Sequence, residues 1–275
     1  MSLKKDASGR RSIQVEVEVP GSPEEVWQAI ATGPGISAWF VPAVFEEKAG
    51  KPVSLTLSFG PGMDAVGKVT AWDPPHRFAK ESELAPGSPP MATEWTVEAK
   101  AGGTCIVRVV QSLFASTDDW DKQLEGTEQG WPGFFKILRL YLTHFRGMSC
   151  TSTMAMASAQ GSEAEAWKTV TGPLALAGVK EGQTWKAPPG VPPLGGTIEG
   201  VSERDHLRNV LMRLDAPTPG VALLGAYNYG GTIHVILSLY LYGDRSAAAV
   251  TRDQPLWQKW MTERFPAELP ASGAS

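Results

Sequence analysis

Alternating apolar and polar residues predict an antiparallel sheet in the first half of the chain. The segment Ile13–Val19, IQVEVEV, alternates strictly, so its apolar side chains share one face of a strand. Val53–Phe59 and Thr93–Ala99 alternate in the same way. Further strand-like segments, separated by turns rich in Gly, Pro and Asp, are Ala43–Glu46, Ala65–Asp73, Arg77–Ser82 and Thr104–Phe114. Together these segments predict a half-buried sheet.

Two helices interrupt and close this predicted sheet. Ser22 is a good N-cap, and the proline and glutamate that follow it predict a helix over Pro23–Ala31. The stretch Trp131–Phe145 is apolar apart from one narrow polar stripe. The stripe consists of Lys136, Arg139, Thr143 and Arg146. Because so little of this helix can face water, we expect a curved sheet to wrap around it in an α+β fold.

The pattern repeats after Gly147. The segment TMAMASAQGSEAEAW aligns without a gap on IQVEVEVPGSPEEVW, and later segments follow in the same order. GGTIEGVSERDHL echoes VGKVTAWDPPHRF, and GGTIHVILSLYLYG echoes GGTCIVRVVQSLFA. We therefore predict a disordered leader at 1–11, tandem domains at 12–148 and 149–267, and a tail at 268–275. The second domain is expected to be shorter between its first helix and its middle strands.

The ends of the two long helices and the first strand of the repeat carry more specific expectations. Pro132 and Pro255 fit the first turns of these helices, and Asp253 is a candidate cap for the second. Met154 and Met156 fall on the outward face of their strand, which indicates that the two repeats pack on each other. A register shift of one residue, which would turn both methionines inward, is the alternative.

Composition excludes several classes of protein. The formal net charge is −4 and no basic tract is present, so we expect no nucleic-acid partner. No apolar run has the length of a membrane span, and the charged N-terminus has no signal-peptide core. The chain has two cysteines, too few for a disulfide framework. These features favour a cytoplasmic protein.

Candidate chemistry is sparse. The four histidines, His76, His144, His206 and His234, show no metal-binding spacing, and the Gly-rich turns lack the pattern of a phosphate loop. The sequence thus indicates neither a metal nor another cofactor. Cys105 begins a strand beside valines and is expected to be a buried, inert thiol. Gln111 shares the face of Val109, so its amide either bonds the backbone at the sheet end or anchors a ligand.

Several motifs carry a family resemblance. In order they are PEEVW, GKVTAWDPPHRF, GGTCIVRVVQSLF and EQGWPGFFKILRLYL. From Ile13 to about Arg146 the chain resembles the SRPBCC (START-like, helix-grip) superfamily. Within it, the chain is similar to the group named after the activator of the ninety-kilodalton heat-shock protein ATPase. The second half looks like a diverged repeat of the same domain. One departure is Gly50-Lys51, where relatives carry two glycines.

The resemblance implies tandem helix-grip domains, each with an elongated apolar cavity between sheet and helix. Its expected function is non-enzymatic binding of a hydrophobic small molecule, lipid- or polyketide-like. One alternative is a co-chaperone-like module that binds protein partners, and another is a cyclase, dehydratase or hydrolase that uses the same cavity. The family shares no catalytic triad, so no catalytic residue is assigned. The expected ligand-binding residues are Trp39, Leu57, Phe59, Trp95, Val97, Val109, Gln111, Trp131, Phe134, Phe135 and Leu138.

Overall fold

Two compact units make up the protein, residues Met1–Gly147 and Met148–Ser275. The structure is a computed structural model that describes residues 3–60, 62–83, 88–115, 120–204, 207–229 and 231–266. His206 and the tail at 268–275 lie outside the described residues. Each unit contains one antiparallel sheet and one long helix. The chain is therefore a tandem of α+β helix-grip domains.

The first sheet contains every strand predicted for this half. Its strands are β1 (Lys4–Lys5), β2 (Arg10–Pro20), β3 (Ala43–Lys48), β4 (Lys51–Ser58), β5 (Asp64–Asp73), β6 (Arg77–Ser82), β7 (Met91–Lys100) and β8 (Thr104–Phe114). Their spatial order is β1-β2-β8-β7-β6-β5-β4-β3, with antiparallel pairs throughout. Apolar residues alternate with polar ones along β4 and β7, and Leu55, Leu57, Trp95 and Val97 on the inner face are buried. One face of the sheet therefore forms the core.

Two short helices precede β3. Helix α1 (Pro23–Ile30) has the predicted capping box, since Ser22 Oγ accepts from Glu25 N while Glu25 accepts from Ser22 N. A second helix, α2 (Gly33–Ser37), follows directly after it. The two helices approach closely, because a Cβ on Gly35 would lie 1.9 Å from Gln28 O. Only glycine at position 35 allows α1 and α2 to pack this closely.

The prediction of a disordered leader is wrong for the described residues 3–11. Lys4 pairs with Ser12 and Lys5 with Arg11 in the sheet. The Arg11 side chain is buried, and its Nε donates to Asp121 Oδ1 at 2.7 Å. Lys5 Nζ lies 2.5 Å from Asp121 Oδ2. The charged leader is ordered because it pairs with the start of the long helix, a contact that local sequence cannot reveal.

The long helix of the first unit starts earlier than expected. Helix α3 spans Asp121–Leu140 and continues as a π-helical turn over Tyr141–Phe145, so Pro132 lies inside it and not in its first turn. The predicted polar stripe is exposed, while most of the opposite side is buried. Among the described residues, no helix combines the length and apolar character needed to cross a membrane.

The second unit repeats the plan with fewer strands. Its elements are β9 (Cys150–Ala159), α4 (Glu163–Thr171), β10 (Thr184–Lys186), β11 (Gly195–Arg204), β12 (Leu207–Ala216), β13 (Gly220–Tyr229), β14 (Thr232–Tyr242) and α5 (Ser246–Arg264). The sheet order is β10-β11-β12-β13-β14-β9. Ser162 and Glu165 form a capping box on α4, as their counterparts do on α1. The predicted repeat is thus a structural one.

Helix α5 also starts earlier than expected. It begins at Ser246, so Asp253 and Pro255 lie in its interior, and Asp253 is not its cap. Asp253 is buried and forms an ion pair with the neighbouring Arg252, with a distance of 2.6 Å between Nη2 and Oδ2. Each long helix therefore carries a proline in its middle, where one backbone hydrogen bond is missing. This shared position extends the internal repeat to its last helix.

The register of β9 contradicts the predicted alternative of a one-residue shift. Ala155 and Ala157 lie opposite Leu237 and Val235 of the core, so Met154 and Met156 point outward and are partly buried. The side chain of Gln258 on α5 accepts from Met156 N at 3.2 Å and donates to Met156 O at 2.9 Å. Helix α5 is thereby attached to the strand at the end of the sheet order.

Candidate functional site

An aromatic cluster fills the groove between the sheet and α3 in the first domain. It consists of Trp39, Phe40, Trp95, Trp131, Phe134 and Phe135. Trp39 and Phe40 follow α2, Trp95 lies on the inner face of β7, and the remaining three lie on α3. Alternation along β7 turns Trp95 inward, and the helical period turns Trp131 and Phe135 to the same side of α3. Five of the predicted aromatic residues therefore meet here.

The rings of the cluster are in direct contact. Trp95 and Trp131 have centroids 5.2 Å apart, and Trp39 and Trp95 have centroids 5.9 Å apart. Phe40 stacks on Trp131 at 5.3 Å and meets Phe134 edge to face at 4.6 Å. These distances lie within the usual range for favourable aromatic pairs. The space between Trp95 and Trp131 is thus filled by side chains, and Phe40, absent from the expected site, is central.

One end of the aromatic cluster reaches the surface. Phe59, at the end of β4, is 41% exposed, and its ring lies 5.9 Å from that of Phe40. Phe40 and Phe134 are partly buried. Met63, in the turn after β4, is also exposed. These four residues form an apolar rim, by which we mean Phe40, Phe59, Met63 and Phe134.

Gln111 does not bond the backbone at the sheet end, which was the first of its two predicted alternatives. It is buried, and its Oε1 accepts from Trp131 Nε1 at 2.9 Å, while its Nε2 lies 3.5 Å from Thr93 Oγ1. Its partners are therefore side chains of the groove and not backbone groups at the sheet end. The hydrogen bond ties α3 to β8 and orients the Trp131 indole. The alternation along β7 places Thr93 on the same face as Trp95, but the expected site did not include it.

Lys80 is a further residue of the groove that is absent from the expected site. It shares the inner face of β6 with Phe78, whose ring stacks on Trp95 with centroids 6.0 Å apart. Lys80 is only 5% exposed, and its Nζ donates to Ser82 Oγ at 3.1 Å. Burial lowers the pKa of Lys80 to about 8. The signal was present, because a residue two positions from an inward Phe on a strand also points inward.

The other expected site residues are buried but make no ring contacts. Leu57, Val97, Val109 and Leu138 all belong to the core of the first domain. Val109 lies directly opposite Trp95 in the sheet. Cys105 is buried, its Sγ–H donates to Gly21 O at 3.3 Å, and burial raises the pKa of its thiol. These residues shape the groove, whereas the aromatic and polar groups determine its chemistry.

The groove of the second domain differs in composition. Its core is largely aliphatic, built on residues such as Val210, Leu224 and Leu237. Trp257 and Trp260 of α5 are buried with ring centroids 5.7 Å apart. Neither indole Nε1 has a hydrogen-bond partner in the described part of the chain. Aromatic surface for a ligand is therefore concentrated in the first domain.

Metal chemistry has no visible site in the described ranges. No group of three or more His, Cys, Asp or Glu side chains there is arranged to hold a metal ion. His144 is exposed, and His234 lies beside Tyr227 with ring centroids 5.5 Å apart. The described histidines therefore occupy separate places in the fold.

The sequence of the first domain matches a known protein family. The sequence profile of the family described as polyketide cyclase / dehydrase and lipid transport matches residues 10–138. The first domain thus matches the profile of this SRPBCC family over most of its length. The match covers β2 to β8 and most of α3, so it includes the aromatic cluster and Lys80. No curated protein matches the sequence.

Solved structures similar to the chain include single-domain and di-domain proteins. Protein MLL2253 from Mesorhizobium loti is 25% identical, over 49% of this chain and 98% of its own, with a TM-score of 0.43. The di-domain ARO/CYC protein BexL from the BE-7585A biosynthetic pathway is 13% identical, over 94% of this chain and 100% of its own, with a TM-score of 0.45. The Aha1 dimer from Colwellia psychrerythraea is 21% identical, over 50% and 98% respectively, with a TM-score of 0.39.

Proposed function

We propose that the SRPBCC domain binds a hydrophobic small molecule with a ring framework, lipid- or polyketide-like, at the aromatic cluster. The observation that carries this proposal is the continuous chain of ring contacts from the apolar rim to Trp95 inside the groove. A flat apolar ligand gains both buried area and favourable ring geometry on such a surface. The family, described by polyketide cyclisation and lipid transport, supports the same class of ligand.

The ligand enters in this proposal at the apolar rim. Phe59 is the most exposed aromatic residue that touches the cluster, and Phe40 links it to Trp131. Because the interior rings already touch, the ligand displaces or slides between rings and does not occupy a preformed void. Phe40 is well placed for this movement, since it follows a five-residue helix and is only partly buried.

Binding is preferred to catalysis as the proposed function. A cyclase, dehydratase or hydrolase requires an acid and a base that face each other across the ligand. No ion pair joins Lys80 to a carboxylate in the residues that the structure describes. The co-chaperone alternative stays a prediction, because it depends on a partner surface and not on the groove.

Fluorescence of N-phenylnaphthylamine, a neutral ring compound that brightens in apolar sites, tests this proposal. Saturable binding to the full chain is expected, accompanied by quenching of tryptophan fluorescence. Phe59→Ala should weaken binding by about three- to tenfold, because one aromatic contact contributes about 0.5–1.5 kcal/mol. Phe59 is partly exposed, so this variant should keep the fold.

Phe114→Ala is the matched control. Phe114 is 63% exposed at the end of β8 and makes none of the ring contacts of the cluster. Its removal should leave probe binding unchanged. Absence of saturable binding, or equal weakening by both substitutions, would refute the proposed site.

A further inference from the structure

A buried ammonium group lies on the inner face of the first sheet, and no carboxylate of the described residues pairs with it. Lys80 is 5% exposed, and Ser82 Oγ is its hydrogen-bond acceptor among the described residues. Ser82 is itself buried. An ammonium group has three N–H donors, so one neutral acceptor leaves most of its capacity unused. A buried charge in this situation is unfavourable unless a further partner arrives.

The sheet provides a niche for this side chain. Gly67 on β5 faces the core, and a Cβ at this position would lie 3.0 Å from Lys80 Cδ and 3.2 Å from its Nζ. The Lys80 side chain thus occupies the space that the side chain of any residue larger than glycine would need at position 67. Thr93 lies directly opposite Lys80 on β7, and Gln111 lies opposite Thr93 on β8. Lys80 is therefore in register with the row of polar residues that ends at Trp131.

The placement of these groups gives the groove two chemically distinct parts. Phe78 is the neighbour of Lys80 on the inner face of β6, and its ring stacks on Trp95 of the aromatic cluster. Apolar rings occupy one part, and Lys80, Ser82 and Thr93 occupy the other. Burial lowers the pKa of Lys80 to about 8, so the amine remains mostly protonated at pH 7. A cation is thus available in the groove at neutral pH.

We propose that the ligand carries an anionic oxygen group, such as a carboxylate or an ionised phenol or enol, which pairs with Lys80 Nζ. This inference rests on the proposed binding function and specifies its ligand class as an acidic ring compound. The ring framework contacts the aromatic cluster, and the anionic oxygen accepts from the N–H groups that Ser82 leaves free. Charge-assisted hydrogen bonds of this kind are shorter and stronger than neutral ones.

Two probes with the same ring system separate this inference from the proposed function. Anilinonaphthalenesulfonate carries a sulfonate, and N-phenylnaphthylamine lacks it. The wild-type chain should bind the anionic probe more tightly than the neutral probe. Lys80→Met should reduce this preference by about tenfold or more, because it removes a charge-assisted contact while keeping an apolar side chain of similar length. Affinity for the neutral probe should change little.

Lys68→Met is the control for non-specific attraction of the anionic probe. Lys68 lies on β5 next to Gly67, and it is exposed on the opposite face of the sheet. This variant should bind both probes as the wild type does. If the neutral probe binds but the preference for the anionic probe is the same in the wild type and Lys80→Met, the inference is wrong and the binding function stands. If neither probe binds saturably, the binding function itself is wrong.

Discussion

Replacing Lys80 by Met should stabilise the unliganded first domain at neutral pH. Methionine retains the length of the apolar chain and removes the buried charge. The pKa of Lys80 lies at about 8 in the folded protein against an ordinary value of 10.5. At 1.36 kcal/mol for each unit of pKa, this difference corresponds to about 3 kcal/mol of destabilisation by the protonated amine. Loss of the bond to Ser82 offsets about 1 kcal/mol, which leaves a net gain of about 2 kcal/mol.

The pH dependence gives the sharper test. Below pH 8 both folded and unfolded Lys80 are protonated, so the wild type bears the full penalty of the buried charge. Between pH 8 and 10.5 the unfolded lysine binds a proton that the folded one has lost, so the stability of the wild type rises relative to the variant. Above pH 10.5 both states are neutral, and the advantage of Lys80→Met disappears. The effects of other titrating groups cancel in the difference between the two proteins.

Urea denaturation of the wild type and Lys80→Met at a series of pH values from 7 to 10.5 measures this difference. The chain has two compact units, so the free energy is taken from the transition that the substitution shifts. Lys68→Met, on the exposed face, should stay within about 0.5 kcal/mol of the wild type at each pH. A constant difference across the pH range, or a variant less stable than the wild type at pH 7, would show that Lys80 is not a buried, unpaired cation.

Three further substitutions test the packing of each domain. Phe135→Ala should destabilise the first domain by about 3–5 kcal/mol, since Phe135 is 2% exposed, and a loss below about 1 kcal/mol in urea melts would contradict its burial between α3 and the sheet. Trp131→Phe should lower the free energy of unfolding by about 1–3 kcal/mol more than Trp257→Phe does, because Trp131 donates an indole hydrogen bond and Trp257 donates none within the described residues. Equal losses of stability in thermal melts would contradict that difference. Joint replacement of Met154 and Met156 by Glu should leave the second domain folded, as judged by circular dichroism, because both side chains point outward; unfolding of the domain would contradict the observed register. A larger hydrodynamic radius of this variant would support the expected packing of the two repeats.

Strand positions were predictable because alternation is a local signal. The strand Arg77–Ser82 and the strand Thr104–Phe114 have the same ends in sequence and structure. The beginning of α3 was not predictable in the same way. Its first half contains two glycines and precedes Pro132, all poor helix residues, so local propensity argues against a helix there. The ion pair from Asp121 to Arg11 and the bond from Trp131 to Gln111 are tertiary contacts, and they outweigh that propensity.

The candidate site was predictable in its aromatic residues and not in its charge. Trp95, Trp131 and Phe135 follow from periodicity, which places them on the inner faces of β7 and α3. Lys80 belongs to a strand that was predicted correctly, but a lysine is normally expected on the wet face. Phe40 follows a short helix and belongs to no periodic pattern, so its central position emerged only from the three-dimensional contacts.

The attachment of Gln258 to Met156 affects how accessible the edge of the second sheet is to another strand. Strand β9 ends the order of its sheet, and a strand in that position offers unpaired N–H and C=O groups to other chains. The side-chain amide of Gln258 occupies both groups of Met156, much as the backbone of another strand would. A second molecule that tried to extend the sheet by strand addition would first have to remove this amide. The glutamine therefore protects against edge-to-edge aggregation while contributing nothing to the hydrophobic core.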